Sequence, residues 1–125
     1  MQAMNKKIII IGSSGGIGKG FIDYYAIRDS SNLIYALSRK KGDAKSDNIN
    51  YIHIDIEEEE SISNAANLCI QAGPFDKIIV CTGLLHSDNV KPEKSLRDLN
   101  RESLLKILSV NTIGPTLIGK YFIPL

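Results

Sequence analysis

KIIIIGSSGGIG, residues 7–18, passes from a run of β-branched residues straight into a glycine-rich turn. Lys7–Ile11 reads as a buried strand, because branched side chains suit a pleated surface and an unbroken apolar run belongs to a sheet covered on both faces. Gly12, Gly16 and Gly18 then let the backbone turn sharply and approach a ligand at the start of a helix. Phosphate is the natural occupant: its oxygens accept from free amides at a helix N-terminus, and Ser13 and Ser14 add hydroxyl donors. A glycine-rich turn with no ligand is the alternative, and the position between strand and helix favours the ligand. The phosphate loop GxxxxGK[ST] is a near miss. Gly18-Lys19 is correct, but Ser13 stands where the first glycine belongs and Gly20 replaces the magnesium-binding hydroxyl.

Outward from the turn, Ile17, Phe21 and Tyr24 recur at three- and four-residue steps, which predicts a helix from Ile17 to about Arg28, ended by Asp29-Ser30-Ser31-Asn32. Met1–Asn5 reads as a frayed start. Leu33–Leu37 is a second strand, the polar stretch Ser38–Asn50 is long enough to cross a sheet face, and Tyr51–Ile56, apolar at alternate positions, is a third strand. Glu57–Glu60 reads as solvated charge opposing the positive end of a helix dipole, in a helix that reaches about Ala72 and stops at Gly73-Pro74. Lys77–Cys81 supplies a fourth buried strand. After a loop of about fifteen residues, the chain from Leu96 onwards becomes helical, with Leu99, Leu104, Leu108, Ile113 and Leu117 as its apolar positions. Strands alternating with helices imply a parallel sheet covered on both faces, and right-handed crossovers give the strand order 3-2-1-4.

A length of 125 residues, 43% hydrophobic content and a net charge of +1 suit one soluble domain and exclude a nucleic-acid-coating or disordered chain. The apolar stretches are far shorter than the ~20 residues that span a bilayer, and the N-terminus carries no signal-peptide pattern, so the expected location is cytoplasmic. Cys69 and Cys81 show no CxxC spacing, and His53 and His86 are isolated. Reduced, buried thiols fit better than a disulfide framework, and no metal site is expected where ~4 ligands are needed.

The pattern Gly12, Gly16, Gly18 resembles the GxxxGxG fingerprint of the short-chain dehydrogenase/reductase family, and the resemblance extends across essentially the whole chain. It implies a three-layer, doubly wound parallel α/β sheet of Rossmann type, here truncated before the later strands, with residues 1–125 forming one NAD(P)-binding domain. Within that likeness Ser13, Ser14 and Ile17 belong to the cofactor turn. Arg39 stands just past the second strand, where family members use a basic residue for the 2′-phosphate of NADP. No acidic residue occupies that strand end, so NADP is favoured over NAD; an exposed loop cation beside Lys40 and Lys41 is the alternative. Asp55, followed by Ile56, matches the aspartate that holds the adenine ring, although such an aspartate also suits a helix cap. Where the family shows Asn-Ala-Gly, this chain has Cys81-Thr82-Gly83, keeping only the glycine that lets the cofactor pass close to the backbone.

Leu104, Leu108 and Asn111 follow one helical stripe, so the amide of Asn111 stands among apolar positions and should find a partner. Pro115, four residues later, has no N–H for the carbonyl of Asn111, and the helix should kink there. In the family the matching asparagine serves the proton relay through a water held by that carbonyl, which makes Asn111 the catalytic candidate; an asparagine on a helix bent for packing is the alternative. The family's catalytic tyrosine and lysine, YxxxK, and the preceding serine are absent, and Tyr24 and Tyr35 stand in early elements far from the substrate end. The resemblance thus implies the cofactor-binding part of an oxidoreductase that moves hydride between nicotinamide and a carbonyl or alcohol, inactive as a fragment and homo-oligomeric. A non-catalytic NADP(H) sensor or protein-interaction module is the rival reading. The stretch KPEKSLRDLNRESLLKILSVNTIGP, residues 91–115, also resembles the C-factor-type branch of the family.

Overall fold

Ile8, Ile9, Ile10 and Ile11 have no solvent-accessible surface, and they alternate between two separate cores. Strand side chains point to opposite faces in turn, so a strand with no polar position must be covered on both. In the computed structural model, which describes residues 5–42 and 46–125, β1 (Lys7–Ile11) is the inner strand of a four-stranded sheet ordered β3-β2-β1-β4. The remaining strands are β2 (Leu33–Ser38), β3 (Ile49–His53) and β4 (Lys77–Val80), all parallel to their neighbours. The expected order 3-2-1-4 is the observed one. Residues 1–4 of the start and residues 43–45 of the polar crossover lie outside the described residues.

One face carries α1 (Gly16–Arg28) and the other carries α2 (Glu59–Ile70) and α4 (Gly114–Phe122). On the second face Ile9, Ile11, Leu37 and Ile54 pack with Ile62, Ala65, Cys69, Ile118 and Phe122. Full burial of each such aliphatic side chain stabilises by roughly 1.5–3 kcal/mol, which makes this the deeper core. Desolvation there pushes the Cys69 thiol up to about 11. Cys81 packs against the opposite core, so the two thiols sit on different faces of the sheet. Among the described residues no helix is long and apolar enough to cross a membrane.

Several sequence expectations are corrected. Helix α1 forms where the stripe Ile17, Phe21, Tyr24 predicts it, but of that stripe Phe21 packs on the core while Ile17 is 72% and Tyr24 48% exposed, and the buried residues are Gly18 and Ile22. Periodicity counted the large apolar side chains and missed the glycine whose lack of a side chain lets the helix lie against the turn. β3 starts at Ile49 and ends at His53 rather than running from Tyr51 to Ile56, because Asp55 folds back to accept the Glu57 N–H at 3.0 Å and breaks the extended backbone. The last helical stretch starts at Leu96 as expected, but it is not one continuous helix. A short 3₁₀ turn, Leu96–Asp98, precedes α3 (Arg101–Leu108), whose N-terminus is set by the Asn100 side chain accepting from the Ser103 N–H at 2.9 Å. Leu104, Leu108 and Ile113 are 42–53% exposed, so the apolar positions of this stretch do not all face the core.

The acidic run at the start of α2 is more than solvated charge. Glu59 accepts from Lys120 Nζ and from Tyr121 Oη, each at 2.8 Å, tying α2 to α4. The Lys120 and Tyr121 hydrogen bonds hold the Glu59 carboxyl below its ordinary 4.5. A depressed carboxylate contributes stability that is present above its unfolded value and lost as pH falls through its folded one. Thermal melts at about pH 6 and about pH 3 should therefore show a larger acid-induced fall in Tm for the parent than for Glu59→Gln, whose side chain does not titrate.

Candidate functional site

The strand ends build the site. Gly12 adopts φ +87°, a conformation open to glycine, and a Cβ there would meet the Cys81 carbonyl carbon at 2.8 Å. Its N–H and that of Ser13 both donate to the Leu37 carbonyl, at 2.8 and 3.1 Å, which binds the turn to the end of β2. Gly18 closes the turn from the helix side, because a Cβ on it would lie 2.1 Å from the Gly12 carbonyl oxygen. Gly12 and Gly18 are thus demanded by the fold. Gly15 and Gly16 are not: a Cβ on Gly15 would touch only Gly12 O, at an ordinary 3.7 Å, and one on Gly16 would meet nothing within 4 Å.

The start of α1 is chemically unsatisfied. Gly15 is its N-cap and offers no side-chain acceptor, and the first helical bond is Lys19 N–H to Gly15 O at 2.9 Å. Among the described residues the amides of Gly16, Ile17 and Gly18 therefore have no acceptor. Three free N–H groups at the positive end of a 13-residue helix attract an anion.

Gly15, the N-cap of this helix, lines a cleft of about 500 Å³ that runs across the C-terminal ends of the strands. Gly12, Ser14 and Gly15 line its middle, Ser38 and Arg39 the end of β2, and Asp55 and Ile56 the turn after β3. Cys81, Thr82 and Gly83 line it beyond β4. Ser13 is buried outside the lining, and the Ile17 side chain lies on a separate shallow groove with Phe21 and Tyr24, leaving only its backbone for the turn. Arg39 is exposed, and among the described residues its guanidinium makes no hydrogen bond or ion pair. The Asp55 carboxylate uses Oδ1 on the Glu57 N–H, and its own N–H donates to Ser61 Oγ at 2.8 Å. The Thr82 hydroxyl is buried without a hydrogen-bond partner, so a polar group for a ligand stands ready at the β4 end.

Asn111 has the partner its position requires. Its Oδ1 accepts from the Leu84 N–H at 2.7 Å and its Nδ2 donates to the Leu84 carbonyl at 2.8 Å, so one side chain clamps both backbone groups of the loop after β4. The expected break in the helix takes the form of a π-helical turn, Ser109–Ile113, in which the Gly114 N–H reaches the Ser109 carbonyl. Pro115 follows inside the first turn of α4, where a missing N–H is tolerated. Tyr24 and Tyr35 are both remote from the cleft. Tyr24 Oη accepts from Arg28, and Tyr35 packs on Phe75, where burial raises its pKa and makes it a weaker acid.

Among the lining residues that sequence reasoning missed are Leu84, Lys106, Val110 and Glu57. Leu84 and Val110 contribute through position alone and carry no signature. Lys106 and Glu57 are ordinary helix-surface charges until the fold brings them together, at 2.6 and 2.8 Å.

A parallel sheet ordered 3-2-1-4, with an uncapped helix N-terminus facing a cleft at the strand ends, defines a Rossmann-type dinucleotide-binding fold. The chain belongs to the short-chain dehydrogenase family, whose profile matches residues 6–125. It is similar to an uncharacterized oxidoreductase of Saccharomyces cerevisiae, 25% identical over 120 residues, covering 86% of this chain and 47% of that protein. The crystal structure of that yeast protein superposes with a TM-score of 0.79 at 20% identity, over 96% of this chain and 48% of the other. The NADPH-bound Y152F form of ElxO gives a TM-score of 0.79 at 21% identity, over 97% and 50%. A short-chain dehydrogenase of Leptospira borgpetersenii with bound NAD+ gives 0.78 at 24%, over 96% and 45%. The chain spans about half the length of the curated relatives it matches.

Proposed function

We propose that this chain is one NAD(P)-binding domain and holds NADP(H) across the strand ends. It would be the cofactor-binding part of an oxidoreductase that passes hydride between the nicotinamide and a carbonyl or alcohol. The observation that supports this best is the pairing of three acceptorless amides at Gly16–Gly18 with two glycines, Gly15 and Gly16, whose missing side chains the fold itself does not require. Both features suit a pyrophosphate against the helix start. Gly12, Ser14 and Gly18 shape that turn, Asp55 and Ile56 take the adenine end, and Thr82 and Gly83 take the passage beyond β4 beside Cys81. The nicotinamide supplies the hydride when bound; the residues described here bind and orient it. Asn111 serves the proton path, and the serine and YxxxK of the family belong to a longer gene product, without which the 125 residues alone are inactive. The stretch 91–115 supports the C-factor-type branch. The exposed Leu104, Leu105 and Leu108 on α3 support self-association through that helix, and the protein is placed in the cytoplasm.

The choice of NADP rests on Arg39. Its guanidinium is unengaged among the described residues, it lines the cleft at the end of β2, and Ser38 rather than an acidic residue precedes it there. Relatives carry either cofactor: ElxO holds NADPH and the Leptospira protein NAD+. Titration of the intact gene product with NADPH and NADH, followed by cofactor fluorescence, should show NADPH bound at least about tenfold more tightly, the worth of one charge-assisted contact to phosphate. Arg39→Ala should remove that preference and leave NADH affinity unchanged. Equal affinities in the unmodified protein would overturn the assignment of Arg39.

A further inference from the structure

Lys106 on α3 reaches across to the turn after β3 and bonds both carboxylate oxygens of Glu57, at 2.8 and 2.6 Å. The two side chains are 45% and 23% exposed, and an ion pair at that exposure adds little to stability. Its consequence is geometric. Glu57 also donates its backbone N–H to Asp55 Oδ1 at 3.0 Å, so fixing the Glu57 side chain fixes the backbone group that orients the Asp55 carboxylate. Asp55, Glu57, Lys106 and Val110 all line the same cleft. With Oδ1 engaged, Oδ2 has no hydrogen bond among the described residues. An ionised carboxylate only accepts, so a held Oδ2 selects a ring substituent that donates, such as an amino group, over one that accepts, such as a carbonyl.

We infer that Lys106 and Glu57 are positioning residues, a latch from α3 to the β3–α2 turn that aims Asp55 and thereby sets the choice of purine. This rests on the reading that the cleft takes NADP(H) with its base at Asp55. A loosened latch lets the carboxylate rotate, and adenine, which offers a 6-amino donor, loses more than hypoxanthine, which offers a 6-carbonyl acceptor.

The test measures affinity for NADPH and for its hypoxanthine analogue in the intact gene product. The unmodified protein should prefer the adenine form. Lys106→Met should cut that preference by about fivefold, the loss of one well-placed hydrogen bond, with the hypoxanthine form changed less than about twofold. The exchanged pair Lys106→Glu with Glu57→Lys should recover most of the preference. A purely structural role predicts equal weakening of both forms, and that result, or an unchanged ratio in Lys106→Met, overturns the inference while leaving the cofactor reading intact. Failure of the unmodified protein to bind either form overturns the cofactor reading and the inference with it.

Discussion

Gly18→Ala should lower the thermal midpoint by roughly 15 °C and abolish nucleotide binding, the effect of about 3 kcal/mol on a domain of this size. The added Cβ would lie 2.1 Å from Gly12 O, 2.8 Å from Ser13 Cα and 2.9 Å from Gly12 C, all backbone atoms of the turn. Gly12 cannot retreat, because its own approach to Cys81 leaves no room and its N–H is bonded to Leu37 at 2.8 Å. The helix must move instead, and Ile22, buried one turn further along, comes away from the sheet with it. Gly16→Ala separates stability from binding. A methyl group there meets nothing within 4 Å and replaces glycine in a helix, so the melting temperature should hold or rise slightly. Nucleotide affinity should nevertheless fall, since the methyl stands where an anion would approach the free amides. Calorimetric melts and NADPH titrations of both variants check the pair. A Gly18→Ala protein melting within about 3 °C of the parent would show the turn to be more yielding than its contacts indicate.

Much of this fold was legible because β1 and β2 carry branched and apolar residues in unbroken runs and because the strands are separated by lengths that suit crossovers. The strand order follows from connection rules that do not depend on particular side chains. What was illegible depended on contacts between elements. The buried side of α1 was not legible because Gly18, the residue that lies against the turn, has no hydropathy to count. The end of β3 was misplaced because Asp55 leaves the strand through a side-chain bond to its own backbone neighbour. In the site, glycine spacing identified the turn, but it did not separate Gly12 and Gly18, which the fold requires, from Gly15 and Gly16, which it does not. The Lys106–Glu57 pair joins residues 49 positions apart, and no local pattern announces such a meeting.

Asn111→Leu should cost about 2 kcal/mol of stability, one for each hydrogen bond lost to Leu84, and lower the thermal midpoint by roughly 10 °C. The leucine is close in size but leaves the Leu84 N–H and carbonyl without the amide that pairs both. The loop after β4 then loses its tether to the π-helical turn, and hydrogen exchange at the Leu84 amide should accelerate well beyond the change at β1. The π-helical turn itself is held from the other side by the close seat of Gly114 on Ile56, where a Cβ would lie 3.1 Å from the carbonyl oxygen. The wider helix should therefore persist while the loop loosens. Asn111→Asp keeps an acceptor for the Leu84 N–H and sets a carboxylate oxygen against the Leu84 carbonyl, so its loss should fall between parent and leucine variant. If the intact gene product reduces a carbonyl, Asn111→Leu should lower kcat on the order of 100-fold, the usual worth of a positioned proton path, with a much smaller change in NADPH affinity. Unchanged exchange at Leu84 in the leucine variant would show that the clamp does not hold the loop. The link from the helix break to the strand end would then run through Gly114 and Ile56 alone.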